Sequence, residues 1–339
     1  MFNFSKRIGI DLGTANSLVY VAGEGLIMNE PTVVAVSTID NKVLAVGNEA
    51  KEMLGRTPAN IVATRPMRDG VIADYVITEA MLRYFIDRIC GSSRVFKPEV
   101  MVCVPAGVTQ VERRAVLDAT LSAGAKTAYL IDEPLAAAIG ANIPIANPSG
   151  NMIVDIGGGT TEAAVICLGG VVVHDSVRVG GNKIDEAITS YIRKKYGLII
   201  GEHQAEQVKI QVGTAVRPNK QADVKVMEVR GRDATTGMPR TINLSSEEVF
   251  QATEEILRKI LAGVKHVLEQ TPPELASDII DKGIVMSGGT SLLNNLDKYF
   301  TAETGVPCHI ADNPKLAVVL GTGLALENLD LYKRSVSKK

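Results

Sequence analysis

Two acid-glycine turns with the same order of residue types occur near the start and near the middle of the chain. Asp11 and Asp155 each follow an apolar run and precede glycine and threonine, as in Ile8-Gly9-Ile10-Asp11-Leu12-Gly13-Thr14 and Ile153-Val154-Asp155-Ile156-Gly157-Gly158-Gly159-Thr160-Thr161. Such a strand places its acid at the carboxyl edge of a sheet, and the small residues let backbone N–H groups approach an anion. Because carboxylates repel phosphates, a divalent cation, most simply Mg²⁺ with several waters, must lie between them. One such turn alone is more often an ordinary tight turn, but the repetition predicts two lobes closing around one nucleotide.

A third glycine-rich turn, Gly288-Gly289-Thr290-Ser291, follows the apolar run that starts at Gly283. Its glycines allow a flat or anionic ligand to approach the backbone closely, and the turn is expected to open a helix at Leu292-Leu293. Alone this motif is nonspecific. As the third member of a set, it is interpreted as part of the same site.

A further acid lies at the crossover between the two halves. The run Tyr129-Leu130-Ile131 ends in Asp132 and Glu133, and Pro134 starts a helix of small residues. This places Glu133 where the cleft should be deepest, although an acid there could equally stabilise the helix amino terminus. The segment 316–325 repeats the Ala/Gly-rich character, and two such helices crossing closely would form a hinge.

Composition limits the class of protein. A chain of 339 residues exceeds the usual size of one core, so two lobes of mixed α/β structure are expected. A net charge of −2, from 36 basic and 38 acidic residues, argues against nucleic-acid binding. The cysteines lie far apart without a CxxC pair, which is typical of reduced core residues in a cytosolic protein. We find no signal sequence, no apolar run of membrane-spanning length and no metal-ligand spacing of histidines.

Apolar periodicity predicts a duplicated βββαβα arrangement with inserted segments. Short β-branched runs over 17–22, 31–37 and 42–46 indicate an antiparallel meander. The predicted elements that follow are helices over 78–90 and 109–123, strands over 99–104, 128–131, 162–168 and 171–179, and further helices over 182–196 and 203–212. A long helix begins at Ser245, where Ser245 and Glu248 form a capping box, and its apolar stripe indicates core packing.

The order of these segments resembles the actin, DnaK-type chaperone and sugar-kinase superfamily, and it is more similar still to the MreB family of bacterial actins. The resemblance runs from residue 6 to about 332 and is carried by Asp11-Leu12-Gly13-Thr14-Ala15-Asn16, Asn29-Glu30-Pro31, Gly55-Arg56-Thr57-Pro58, Arg65-Pro66-Met67, Asp69-Gly70-Val71-Ile72-Ala73-Asp74 and Asp155 through Glu162. It implies an α/β actin-like fold. The first lobe would span 1–145, with a small inserted subdomain at about 32–74. The second would span 146–339, with a helical insertion at about 182–265, and the chain would return to the first lobe at about 314–339.

The resemblance also implies a ligand and roles for individual residues. The ligand would be ATP, with GTP as an alternative, together with Mg²⁺ ordered through water by Asp11 and Asp155. Glu133 would polarise the attacking water, with Thr160 helping to place it. Nucleotide contacts would come from Gly13, Thr14, Ala15, Asn16, Gly157, Gly158, Gly159, Thr160, Asp185, Glu206, Gln207, Val208, Lys209, Gly288, Gly289, Thr290 and Ser291.

Some of these assignments stay open at the level of the residues. Taken alone, Glu206 and Lys209 are a solvated i,i+3 pair. Asn182 and Asp132 depart from the family's usual acid and Glu, respectively. These departures leave the ribose contacts and the tuning of the attacking water undecided.

The function implied by the resemblance is that of a cytoskeletal ATPase with slow hydrolysis. It would polymerise with ATP into membrane-associated filaments that organise cell-wall synthesis and maintain rod shape. The expected partners are further copies of the chain in paired antiparallel protofilaments, meeting through the helix over 109–123, and membrane proteins of the cell-elongation machinery. The alternatives on this fold are a metabolic kinase and a chaperone-type ATPase. A kinase should carry a sugar pocket with an Asp base and a chaperone a peptide-binding domain, and we identify neither in the sequence.

Two short aromatic segments beside basic residues suggest membrane attachment. Phe2 and Phe4 precede Lys6-Arg7, and Val95-Phe96 lies between Arg94 and Lys97. Aromatic rings would enter the acyl boundary of the inner face of the cytoplasmic membrane while the cations meet anionic headgroups, giving a cytoplasmic, peripheral location. Alternatively, Phe2 and Phe4 fold back on the first sheet and Phe96 fills a gap in its lobe. The loop is the stronger candidate because the amino-terminal arm is too short for a stable amphipathic helix.

Overall fold

The architecture is that of a computed structural model, which describes residues 5–40, 42–91, 96–218, 220–333 and 335–338. Three residues of the predicted membrane segments, Phe2, Phe4 and Val95, lie outside the described residues. Within the described part of the chain, no helix is both long enough and apolar enough to cross a membrane.

The first half of the chain forms a large sheet, a small sheet and the helices that connect them. Its elements in chain order are β1 (Arg7–Leu12), β2 (Asn16–Val21), β3 (Gly25–Pro31), β4 (Val34–Ser37), β5 (Val43–Val46), α1 (Asn48–Met53), β6 (Ile61–Thr64), β7 (Met67–Arg68), β8 (Val71–Ile72), α2 (Tyr75–Cys90), β9 (Glu99–Val104), α3 (Gln110–Ser122), β10 (Thr127–Asp132) and α4 (Glu133–Gly140).

The second half repeats this plan with a longer helical insertion. Its elements are β11 (Asn151–Ile156), β12 (Thr161–Cys167), β13 (Gly170–Val177), α5 (Gly181–Tyr196), β14 (Leu198–Ile199), α6 (Glu202–Val212), β15 (Val226–Asp233), β16 (Pro239–Ser245), α7 (Ser246–Gln270), α8 (Pro273–Lys282), β17 (Ile284–Ser287), α9 (Leu296–Thr304), β18 (Cys308–Ile310), α10 (Ala317–Glu327), α11 (Leu329–Tyr332) and β19 (Val336–Lys338).

The two large sheets are built in the same order around their first strands. The first has the order β19-β10-β9-β1-β2-β3 and the second β13-β12-β11-β17-β18. In each, an antiparallel meander continues into parallel strands, β1 beside β9 and β11 beside β17. The parallel strands are nearly continuous apolar runs because helices cover both faces. The duplicated arrangement therefore brings the carboxyl ends of β1 and β11 to equivalent positions.

Local signals in the sequence account for several helix boundaries. The predicted capping box of Ser245 and Glu248 is confirmed at the start of α7, and Thr109 with Glu112 forms another at the start of α3. The prediction that a helix begins at Leu292-Leu293 is wrong. Residues Gly289–Leu292 form a short 3-10 turn, and α9 begins only at Leu296.

Helices α4 and α10 cross with their backbones in contact. A Cβ added to Gly321 would overlap the carbonyl oxygen of Ala136, and one added to Gly140 would overlap that of Ala317. Helix α10 also packs on β1, while β19 pairs antiparallel with β10. The end of the chain therefore packs against the large sheet formed by its first half.

Candidate functional site

The two acid-glycine turns face each other between the large sheets. A Cβ on Gly158 would lie 2.7 Å from the Cβ of Ala15, and one on Gly159 would overlap the hydroxyl of Thr14. Thr14 also accepts a hydrogen bond from the backbone N–H of Gly70, 3.0 Å away. These close approaches tolerate only glycine and bring the backbone of both turns to one place, as an anion-binding cradle requires.

The second turn also holds the other predicted segments. The N–H groups of Gly181 and Asn182 donate to the carbonyls of Gly157 and Gly158 at 3.0 and 2.8 Å, which places the amino terminus of α5 at the turn. The hydroxyl of Thr290 donates to the Gly157 carbonyl at 2.8 Å. The third glycine-rich turn therefore adjoins the second, as its sequence suggested.

Asp11 and Asp155 lie at the carboxyl ends of β1 and β11. Burial, together with the nearby charge of Asp155, raises the pKa of Asp11 to about 7. Burial raises the pKa of Asp155 to about 6, against the effect of a 2.6 Å hydrogen bond from the Ser287 hydroxyl. A dication between the two acids would reverse both shifts because it favours their charged forms.

Glu133 and Glu162 extend this acidic group. Glu133, in the first turn of α4, is 9% exposed, and its pKa is raised well above the usual value by burial and then by the charge of Glu162. Glu162 is 1% exposed, has a pKa raised to about 8 by burial, and accepts hydrogen bonds from the Ser176 hydroxyl and the Ala106 N–H. Sequence reasoning omitted Glu162 from the site, although it ends the motif that begins at Asp155.

Helix α3 contacts Asp132, next to the acidic group, through Arg113. Arg113 donates to Asp132 at 2.6 Å, and Glu112 accepts from Arg178 at 3.2 Å. Asp132 thus has a cationic partner beside Glu133. The group carries more carboxylates than this one guanidinium can neutralise, which fits the binding of a divalent cation.

The predicted ribose-side residues divide into two sets. Lys209 donates to Asp185 at 2.8 Å and to the Gly181 carbonyl at 3.1 Å, so it pairs with Asp185 and not with Glu206. The second carboxylate oxygen of Asp185 is buried without a partner in the described part of the chain, an acceptor that a ribose hydroxyl would satisfy. By contrast, the Val208 side chain packs in the second-lobe core, and Gln207 accepts a hydrogen bond from Gln211 on the same helix.

Two ion pairs span the opening between the small subdomain of the first half and α6. Lys51 lies 3.3 Å from Glu206, and Arg65 lies 3.5 Å from Glu202. These cross-cleft ion pairs, Lys51–Glu206 and Arg65–Glu202, connect the two sides above the acids.

Comparison with known proteins places this arrangement among bacterial actins. The model of the MreB/Mbl protein family matches residues 5–334. The cell shape-determining proteins Mbl of Bacillus cereus and MreB of Escherichia coli are each 50% identical to the chain over 334 residues, covering 98% and 97% of it and 99% and 95% of their own lengths.

Solved structures agree with the family match. MreB 5 of Spiroplasma citri bound to AMPPNP is 37% identical, with a TM-score of 0.91 over 98% of this chain and 99% of that one. The MamK double helical filament, at 22% identity, has a TM-score of 0.81 over 95% of this chain and 99% of that one, and it supports the fold alone. The predicted actin-like fold is confirmed.

Proposed function

The chain belongs to the MreB/Mbl protein family, and we propose that it is a cytoskeletal ATPase whose membrane-associated filaments determine cell shape. The observation that carries the proposal is the convergence of two glycine turns and four carboxyl groups, three of them buried, between duplicated sheets. Its relative MreB 5 has been crystallised with both AMPPNP and ADP. ATP is therefore the proposed nucleotide, with GTP as the alternative.

Hydrolysis would depend on positioning more than on covalent chemistry. Bound Mg²⁺, ordered through water by Asp11 and Asp155, would neutralise charge on the phosphates. Glu133 would hold the attacking water and accept its proton, with Thr160 on the facing turn helping to place it. The glycine turns would supply N–H donors to the phosphates, and Asp185 with Lys209 would form the ribose side.

Assembly would proceed head to tail, because a heterologous interface that does not close gives an open filament. Two protofilaments would pair antiparallel through α3, whose Val111 side chain is 79% exposed. Sedimentation and electron microscopy with and without ATP and Mg²⁺ test this proposal. Smooth nucleotide-dependent filaments are expected, whereas a monomer that phosphorylates sugars would overturn it.

Membrane attachment would use one surface formed by the amino-terminal segment and the loop after α2. The Ser5 hydroxyl donates to the Lys97 carbonyl at 2.5 Å, and the Glu99 N–H donates to the Lys6 carbonyl at 2.9 Å. Phe96 is 59% exposed beside them. The two predicted segments thus start from adjacent points, and weak binding by each subunit would become firm in a filament. Membrane proteins of the elongation machinery are the proposed partners there.

A further inference from the structure

We propose that Cys103 and Ser287 are paired positioning residues that hold the two metal-ordering acids, each donating a hydrogen bond to one carboxylate oxygen and leaving the other for the water shell of the metal. The inference rests on the proposed magnesium and nucleotide site. Cys103 donates from its thiol to Asp11 at 3.4 Å, and Ser287 donates from its hydroxyl to Asp155 at 2.6 Å.

Strand register produces both contacts in the same way. Asp155 on β11 is the direct parallel partner of Ser287 on β17. In the first sheet, Ile10 on β1 is the partner of Val102 on β9, so Asp11 and Cys103 follow at the next position of the two strands. Each donor therefore comes from the parallel strand that adjoins the acid's own strand, and the duplicated fold supplies one donor to each acid.

Ser287 is a polar residue type at a fully buried strand position, whereas a buried cysteine such as Cys103 is common in a protein core. Cys103 and Ser287 are 3% and 0% exposed, and each follows an apolar run, Val100-Met101-Val102 and Ile284-Val285-Met286. A buried hydroxyl in such a run costs free energy unless it is hydrogen-bonded. For Ser287, the Asp155 carboxylate supplies that partner, and the short distance is typical of a hydroxyl bound to an ionised acceptor.

The two donors differ in strength, which gives the inference a specific signature. A thiol is a weak donor, so the bond to Asp11 should contribute less than the hydroxyl bond to Asp155. Residues that orient metal-binding carboxylates typically change metal affinity by about 10–100-fold when removed. Loss of the Ser287 hydroxyl should therefore raise the Mg²⁺ concentration needed for nucleotide binding by about 10-fold, and loss of the Cys103 thiol by only a few-fold.

The test measures binding of a fluorescent ATP analogue to full-length protein, below the concentration at which it assembles, as Mg²⁺ is varied. The variants are Ser287→Ala, Ser287→Cys, Cys103→Ala and Cys103→Ser. Thr253→Ala is the matched control, since its buried hydroxyl donates only within α7. We expect Ser287→Ala to show the largest rise in the Mg²⁺ requirement, Ser287→Cys a smaller one, and Cys103→Ser to stay near wild type.

Two further readouts separate the possible failures. Analogue binding in EDTA should be the same for all variants, because the donors act only through the acids that order the metal. The inference would be overturned if both Ser287 variants showed the same Mg²⁺ dependence of analogue binding as the Thr253→Ala control. A wild-type protein without any Mg²⁺-dependent binding would instead contradict the proposed function. If Ser287→Ala does not fold, Ser287→Cys still reports whether donor strength matters.

Discussion

Four carboxyl groups interact at the base of the cleft, and three of them, Asp155, Glu133 and Glu162, are buried. The pKa values of Asp155, Asp11 and Glu162 are raised to about 6, 7 and 8, and burial is the first cause of each shift. Between their ordinary values and these raised values, the folded protein binds more protons than the unfolded chain. Its free energy of unfolding therefore decreases as pH rises through this window.

We accordingly predict that the metal-free, nucleotide-free protein loses thermal stability between about pH 5 and about pH 8. Glu162→Gln should raise the melting temperature at the upper end of this pH range by a few degrees, at roughly 1–2 °C per kcal/mol for a chain of this length, and have little effect at the lower end. Thermal unfolding followed by circular dichroism checks this. Glu255→Gln, at an exposed position, is the control. The prediction would be contradicted if wild type and Glu162→Gln had equal melting temperatures at both ends of this pH range.

Removal of the carboxylate at position 133 should separate binding from turnover. We expect Glu133→Ala to retain nucleotide binding but lose about 10²-fold or more in phosphate release, the usual contribution of a positioned general base. Glu133→Gln, which leaves no cavity, should show the same retained binding and the same loss of turnover as Glu133→Ala. Asp155→Ala should weaken Mg·ATP binding itself, so equilibrium binding and steady-state phosphate assays distinguish the two sites. Unchanged hydrolysis would remove Glu133 from the mechanism.

The sequence identified some of these residues and not others for a physical reason. Asp11, Asp155 and Glu133 stand at the ends of apolar runs, where an acid is conspicuous. Cys103 and Ser287 look like ordinary small residues, because their role depends on a neighbouring strand far away in the chain. Val208 lies in a segment predicted to contact the nucleotide. The sequence could not reveal the direction of its side chain, which packs in the core.

At the scale of elements, the crossing of α4 and α10 depends on glycine. We predict that Gly321→Ala, which places a methyl group against the Ala136 carbonyl, destabilises the protein by several kcal/mol, at or above the usual ~1–3 kcal/mol for an overpacked core. Gly201→Ala is a matched control, because a Cβ there meets nothing within 4 Å. Urea unfolding of both variants provides the measurement. A Gly321→Ala variant as stable as the control would contradict this dependence on glycine.

Helix and strand types were largely predictable because caps and apolar periodicity are local. The helix predicted over 109–123 is observed as α3, with Thr109 and Ala123 as its caps. β3, by contrast, was not predicted as a strand of its own, because its short apolar run Leu26-Ile27-Met28 is bounded by Gly25 and by Asn29-Glu30-Pro31, although it forms a local hairpin with β2. The 3-10 turn before α9 was missed because apolar leucines there resembled a helix start.

At the scale of the whole molecule, membrane binding should require both the loop and the polymer. We predict that Val95→Ser combined with Phe96→Ser releases filaments from anionic liposomes while leaving assembly intact, because aromatic insertion and multivalency act together. Co-sedimentation with anionic and neutral liposomes checks this, and Val172→Ser, at another exposed apolar residue, is a control. Full retention by the double variant would exclude the loop as the attachment site.

We predict that the cross-cleft ion pairs make the rate of nucleotide exchange depend on ionic strength. Their side chains are 30–79% exposed, so each pair contributes about 0–1 kcal/mol and is screened by salt over roughly 10 Å. Raising salt from about 0.05 M to about 0.5 M should therefore speed release of bound nucleotide. Arg65→Glu should be fast at either concentration, and Arg65→Glu with Glu202→Arg should regain the salt dependence, which stopped-flow release of a fluorescent nucleotide would measure. The ionic composition of the surrounding solution would then set how long each subunit retains its nucleotide, with no change in the chemistry at the buried acids.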